Sequence, residues 1–262
     1  MEFERTFDNA AAQYDAARPE YPRALYQDLF RRRPLTPESR VLEIGLGTGK
    51  AAEPVLRTGC RFVGLEPGAR LAAIAGERLK SYRNFTLLPQ TFQEFDCPGG
   101  SFDLIYAATA FHWIPEEYGY RRVYELLKPG GLFARFAYHA GPDQSRRALT
   151  AEVYQLYRRY MHGGKGEYRA LTPADGSRLL AVPEKYGFKA AEFRLYHMEK
   201  DFTPEEYRQL LQTYRDHMAL EEENRNLLFD GICQAIRRHG GIMTVFYTVD
   251  LQLAEKPESH RI

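Results

Sequence analysis

The run Val41-Leu42-Glu43-Ile44-Gly45-Leu46-Gly47-Thr48-Gly49-Lys50 constrains this chain more than any other stretch. Val41, Leu42 and Ile44 read as a short buried strand, and three alternating glycines then turn the chain into a helix. Glycine tolerates positive φ and carries no Cβ, so backbone built from it can turn tightly and approach a ligand closely. Amides at the start of the helix that follows favour polar or anionic groups. A second apolar strand, from Arg61, ends at Glu66. A carboxylate about 20 residues beyond such a turn is placed to accept hydrogen bonds from two ribose hydroxyls. The pattern predicts the nucleoside-binding half of a doubly wound α/β sheet.

Spacing separates the ligands that compete for a turn of this kind. A dinucleotide fingerprint needs glycine where Lys50 stands, and Ile44 and Ala51 break both ends of a Walker A loop. What remains is E-x-G-x-G-x-G, with Glu43 inside the strand. That word resembles motif I of the class I S-adenosylmethionine (SAM) methyltransferases, and Glu66 stands where their ribose-binding acid belongs.

Composition narrows the partners. Lys+Arg number 36 against 35 Asp+Glu, a net charge of +1 that supplies no basic excess for nucleic-acid binding. Cys60, Cys97 and Cys233 are far apart and lack metal-site spacing, so neither a disulfide framework nor a metal centre is expected. The opening residues are charged and mixed, without a signal-peptide pattern, and no apolar run nears membrane-spanning length. A cytoplasmic protein with no membrane partner is the expectation.

Strands are expected at 41–44, 61–66, 85–89, 101–107, 132–138, 190–197 and 242–253, separated by helical patterns. Lys128-Pro129-Gly130-Gly131 reads as a tight turn before the fifth strand. Thr203-Pro204-Glu205-Glu206 is a capping box that opens a helix expected to reach His217. Connections 139–189 and 203–239 are longer than strands need and carry helical patterns, as a cap would. The SAM-binding core is then about 34–138 with 190–200 and 242–254, all within a single methyltransferase domain.

Near the start, F-D-x-A-A-x-x-Y-D-x-x-R-P-x-Y-P and, after strand four, Phe111-His112-Trp113-Ile114 resemble the trans-aconitate methyltransferase-like group, methyltransferase type 11. The resemblance implies a Rossmann-like doubly wound sheet of seven strands, the seventh antiparallel, with helical cap insertions and an N-terminal helical lid. It also implies SAM contacts from Tyr14, Arg18, Glu43, Gly45, Gly47, Gly49, Glu66, Pro67, Thr91, Phe92, Ala107 and Trp113. Tyr14 and Arg18 would lie near the methionine end, Thr91 and Phe92 near adenine, and the Ala107 carbonyl near the SAM amino group.

Methyl transfer from a sulfonium is a one-step displacement in which the protein chiefly aligns the reactants and excludes water. A base is needed only when the acceptor must lose a proton early. His112 is the candidate, with His139 in reserve. The expected acceptor is a small molecule enclosed under the cap, oriented by Tyr154, Tyr157, Tyr160, Tyr207 and Tyr214. Two other readings stand beside this one: a SAM-binding sensor or assembly subunit without catalysis, and methylation of nucleic acid. The neutral charge and the absence of a D/N-P-P-Y/F word after strand four oppose the second.

Overall fold

The computed structural model describes residues 18–143, 145–161 and 169–258. Its sheet unit begins with α1 (Arg23–Arg32), then β1 (Arg40–Ile44), α2 (Ala52–Leu56), β2 (Arg61–Leu65), α3 (Ala69–Leu79), β3 (Phe85–Leu88) and β4 (Phe102–Ala108). Next come α4 (Glu116–Leu126), β5 (Leu127–Pro142), α5 (Arg147–Tyr160), α6 (Gly176–Glu184) and β6 (Lys189–Phe202). The chain continues through α7 (Pro204–Leu211), α8 (Arg215–Met218), α9 (Glu222–Arg238) and β7 (Met243–Glu255). The seven strands are ordered β3-β2-β1-β4-β5-β7-β6, with one antiparallel strand. β1 pairs in parallel with β2 and β4, β2 with β3, and β4 with β5. The reversal of strand order between β1 and β4 is the switch point beside which open α/β sheets bind ligands.

Burial explains the register. As a central parallel strand, β1 is covered on both faces, so Val41 through Ile44 are all buried. Leu42, Ile44, Ile105, Ala107 and Phe133 face one side and pack with Tyr120, Val123 and Leu126 of α4 and with Phe188. The opposite face carries Glu43, Tyr106 and Phe136 towards Tyr26 of α1, with Tyr106 and Phe136 stacked at 5.7 Å. Pro54 is the third residue of α2, where a missing amide costs nothing.

The structure differs from expectation at two places. Lys128-Pro129-Gly130-Gly131 is not a turn ahead of β5 but a bulge within it. Phe102 pairs with Leu127 and Leu104 with Leu132, so the chain on the β5 side is longer between the two pairs. The bulge finds its partners in β7's far end: Gly130 N–H donates to the Lys256 carbonyl and Lys256 N–H to that of Gly131, both at 2.9 Å. The helix expected from Thr203 to His217 has its capping box but stops at Leu211. There the Thr213 hydroxyl takes the Leu210 carbonyl at 2.7 Å, and the chain resumes as the short α8.

By backbone proximity, described residues within Glu20–Tyr138, Leu171–Tyr196 and Val249–Ile262 form the sheet unit. Those within Met1–Pro19, His139–Ala170 and His197–Thr248 form a helical unit. Residues 171–189 thus group with the sheet and 242–248 with the helices. In the helical unit Arg146 donates to the carbonyls of Ile242 and His239, and Glu152 pairs with Arg238 and His239 of the α9 end. Among the described residues no helix is long and apolar enough to cross a membrane.

Phe133, 2% exposed, touches the rings of Phe111, Tyr120 and Phe188. Phe133→Ala should lower the unfolding free energy by about 3–5 kcal/mol, read from urea midpoints. A loss below about 1 kcal/mol would show that this face of the sheet repacks freely.

Candidate functional site

The carboxyl ends of β1, β2, β3 and β4 lie on one edge because the four strands are parallel. Immediately beyond them stand Gly45, Glu66, Pro89 and Thr109. Gly45, Gly47 and Gly49 all adopt positive φ, at 72°, 58° and 81°. Their neighbours differ. A Cβ on Gly45 would come within 2.5 Å of the Ala110 Cβ, and one on Gly49 within 2.9 Å of Leu79 Cδ1. At Gly47 a Cβ would meet no heavy atom within 4 Å. Two of the glycines therefore serve packing, and the third faces open space.

Glu66 joins this turn to the next. Its Oε2 accepts from the Gly47 amide at 2.7 Å and its Oε1 from the Gly68 amide at 2.8 Å, while only 5% of the residue is exposed. Each oxygen thus takes one backbone amide. Pro67 lies between the two anchored ends. Further bonds fix the loop: Leu46 N–H to the Leu65 carbonyl at 2.8 Å, and Arg78 to the Thr48 carbonyl at 3.1 Å.

Glu43 is wholly buried beneath the turn. The Tyr106 hydroxyl donates to its Oε2 at 2.7 Å, and its Oε1 has no hydrogen-bond partner among the described residues. Burial pushes the Glu43 carboxyl well above the ordinary carboxylate range, and the nearby Glu66 adds to the effect against the Tyr106 bond.

Beyond β3, Thr91 is engaged with Glu94, its hydroxyl donating to Oε2 at 2.8 Å. Phe92 is 3% exposed, in the core cluster, with its ring 6.0 Å from that of Tyr118. Beyond β4 the backbone is strained. Thr109 sits at φ 55°, a region costly for a β-branched residue. Its amide donates to the Phe136 carbonyl and its hydroxyl shares a 2.7 Å bond with Tyr21, whose ring stacks on Tyr138 at 4.3 Å. Ala107 is buried in β4, opposite Arg135 of β5. A single turn of 3-10 helix then carries His112 and Trp113, their rings 4.7 Å apart.

The His112 ring is partly desolvated, and that desolvation, with the Arg135 guanidinium, holds its imidazole below the ordinary value. It is neutral at pH 7 but a weakened base. His139 lies within β5. Arg18 groups with the helical unit, its guanidinium 4.7 Å from the Tyr214 ring centroid. Tyr14 lies outside the described residues. Sequence reasoning missed Thr109 and Arg135. Positive φ at a threonine leaves no trace in the sequence, whereas the tyrosine of R-P-x-Y-P was in view without its partner.

A family model described as a methyltransferase domain matches residues 41–131, from β1 into the β5 bulge. An uncharacterized methyltransferase of Bacillus cytotoxicus is 31% identical over 162 residues, 60% of this chain and 73% of that protein. A demethylmenaquinone methyltransferase of Tropheryma whipplei is 29% identical over 169 residues, 61% of this chain and 66% of that one. Among solved structures, a protein of Anaeromyxobacter dehalogenans described as a type II methyltransferase shares the fold at a TM-score of 0.68. It is 20% identical, over 92% of this chain and 99% of that one. The chain spans about half the length of other curated relatives it matches. A turn and acid of this geometry on this strand order define a nucleoside-binding α/β domain. The chain belongs to the class I SAM-dependent methyltransferases.

Gly47→Ala should cost about 1–2 kcal/mol of stability for its left-handed φ alone. Gly45→Ala should cost a further 1–3 kcal/mol or so for overpacking against Ala110. Gly47→Ala should nevertheless be the more damaging to S-adenosylhomocysteine affinity per unit of lost stability, as urea unfolding and calorimetry would show. The His112 ring should titrate below ~6.5 by NMR. A midpoint above that value would mean that neither burial nor Arg135 governs the ring.

Proposed function

We propose that this chain transfers the methyl group of SAM to a small organic acceptor. The observation that carries the reading is the Glu66 carboxylate, held by the Gly47 and Gly68 amides at the open face of the glycine turn. The residues fit the cofactor: a turn with room at Gly47, a fixed acid for two ribose hydroxyls, and a buried polar Glu43 beneath. SAM brings a methyl group already activated on a sulfonium.

Each expected contact of the sheet unit keeps its proposed role. Gly45 and Gly49 shape the turn and Gly47 opens it, with Glu66 and Pro67 at the ribose. Thr91 and Phe92 border adenine. Ala107 and Trp113 flank the methionine end. A base role for His112 has weaker support than a wall role, because its lowered pKa makes it a poorer proton acceptor and its ring has no carboxylate partner among the described residues. Small acceptors are supported by the chemistry that the name of the Tropheryma relative prints, and by the tyrosines of the helical unit. A net charge of +1 gives a nucleic acid little to hold. The non-catalytic alternative would show as binding without turnover.

SAM and S-adenosylhomocysteine should bind in calorimetric titrations, and NAD should not. Glu66→Ala should weaken SAM binding by at least about 1.5–3 kcal/mol, since charge-assisted hydrogen bonds go and two loop amides lose their acceptor. NAD binding equal to that of SAM would sink the reading. Release of the demethylated cofactor across a panel of phenols, carboxylates and amines would identify the acceptor class.

A further inference from the structure

The helical unit holds a buried acid–base chain that the reaction described so far does not use. His217 is 0% exposed. Its Nδ1 lies 2.7 Å from Asp216 Oδ1, and its Nε2 lies 3.0 Å from the Tyr157 hydroxyl. An ionised carboxylate can only accept, so Nδ1 carries the ring proton and Nε2 is left as the acceptor of the Tyr157 O–H. Burial keeps the Tyr157 phenol far above its ordinary pKa, hence protonated and a donor. The three residues therefore form a directed chain, hydroxyl to imidazole to carboxylate.

The surroundings are unusual for a histidine that only fills a core. Tyr154 and Tyr157 share one face of α5 at i and i+3, and Tyr214 and His217 repeat that spacing across the break after α7. The His217 ring lies 5.5 Å from those of both Tyr157 and Tyr214, with Phe229 of α9 at 5.9 Å. Tyr207 of α7 is coupled electrostatically to Tyr214 and Tyr154, and Tyr247 of β7 to Tyr214, Arg18 and Tyr207. Arg18 lies over the Tyr214 face. Tyr154, Tyr207 and Tyr214 are only half-buried. A packed histidine needs a single partner. This one has a donor on one nitrogen and a carboxylate on the other, among phenols and a guanidinium that together suit a hydroxylated, aromatic or anionic guest.

We propose that this cluster is the acceptor-recognition site of the helical unit, with Asp216–His217–Tyr157 as its proton relay, and that it selects small phenols. The proposal rests on the methyltransfer reading for its purpose, but not for its test. In the relay, the O–H bond of the bound phenol breaks and its proton goes to the Tyr157 oxygen. The Tyr157 proton goes to His217 Nε2. The products are a bound phenolate and an imidazolium, whose charge Asp216 balances. This raises the nucleophilicity of the acceptor oxygen before any methyl group reaches it.

The test uses the full chain and 4-nitrophenol, whose phenolate absorbs visible light that the phenol does not. At one pH unit below the probe's own pKa, about one-tenth of the free probe is ionised. On the wild-type protein the bound probe should be mostly ionised, a gain of about fivefold or more. Tyr157→Phe removes only a hydroxyl and should return the bound fraction to that of free probe. Asp216→Asn alters a carboxylate that is 47% exposed, keeps the fold, and should give an intermediate fraction. Titrations are run with and without S-adenosylhomocysteine, whose own affinity should not change in either variant. No binding of the probe to wild type, or an ionised fraction unmoved by Tyr157→Phe, overturns the proposal. Loss of S-adenosylhomocysteine binding in the wild type would instead strike at the methyltransfer reading, with the probe result still decisive for the relay.

Discussion

One carboxylate ties together backbone that the chain lays down separately. Glu66 reaches back to the Gly47 amide and forward to the Gly68 amide, so the turn after β1 and the turn after β2 move as one body. The first of these loops is glycine-rich, and its rigidity has to come from outside its own residues. Charge-assisted bonds to a buried acid supply it, at about twice the strength of neutral ones. The same bonds fix the direction in which the carboxylate lies.

Beneath that joint the sheet accepts costs that a purely structural domain would avoid. Glu43 is buried with one oxygen unsatisfied among the described residues, and Tyr106 satisfies the other. Thr109 holds a left-handed conformation at the tip of β4, kept there by Tyr21 and by the Phe136 carbonyl. Ala110, the next residue, fills the space that the absent Gly45 side chain leaves. Strain, an orphaned acceptor and a fitted glycine thus sit within a few residues of the strand ends, which is where backbone irregularity tends to accompany ligand sites.

The glycine turn, its acid and the strand sequence were legible because each is written in adjacent residues or in a period. The capping box of α7 was legible for the same reason. Most of what escaped depends on residues far apart in the chain. The bulge in β5 exists because Lys256 offers it hydrogen bonds, and nothing near Pro129 records that. The helix after Thr203 breaks where Thr213 turns its hydroxyl to a carbonyl, a local competition that periodicity does not weigh. His217 was legible only as the expected end of the helix from Thr203, because its meaning lies in Tyr157, 60 residues earlier. Arg135 reads as an ordinary strand residue until Phe111 and Tyr120 are found against its guanidinium.

The strand order has a consequence for how the chain comes to be made. β7 is the last of the seven strands to leave the ribosome, but it belongs between β5 and β6. Until it arrives, β5 offers an unpaired edge bearing Phe133 and Phe136, and β6 has no neighbour at all. Synthesis therefore passes through a stage in which an apolar strand edge is open to other nascent chains, the condition that favours misassociation. The charges spaced along β6, at Glu192, Arg194, Glu199 and Lys200, make that strand a poor template while it waits. The insertion that completes the sheet is the slow, non-local step, and the sequence guards the strand that has no other neighbour.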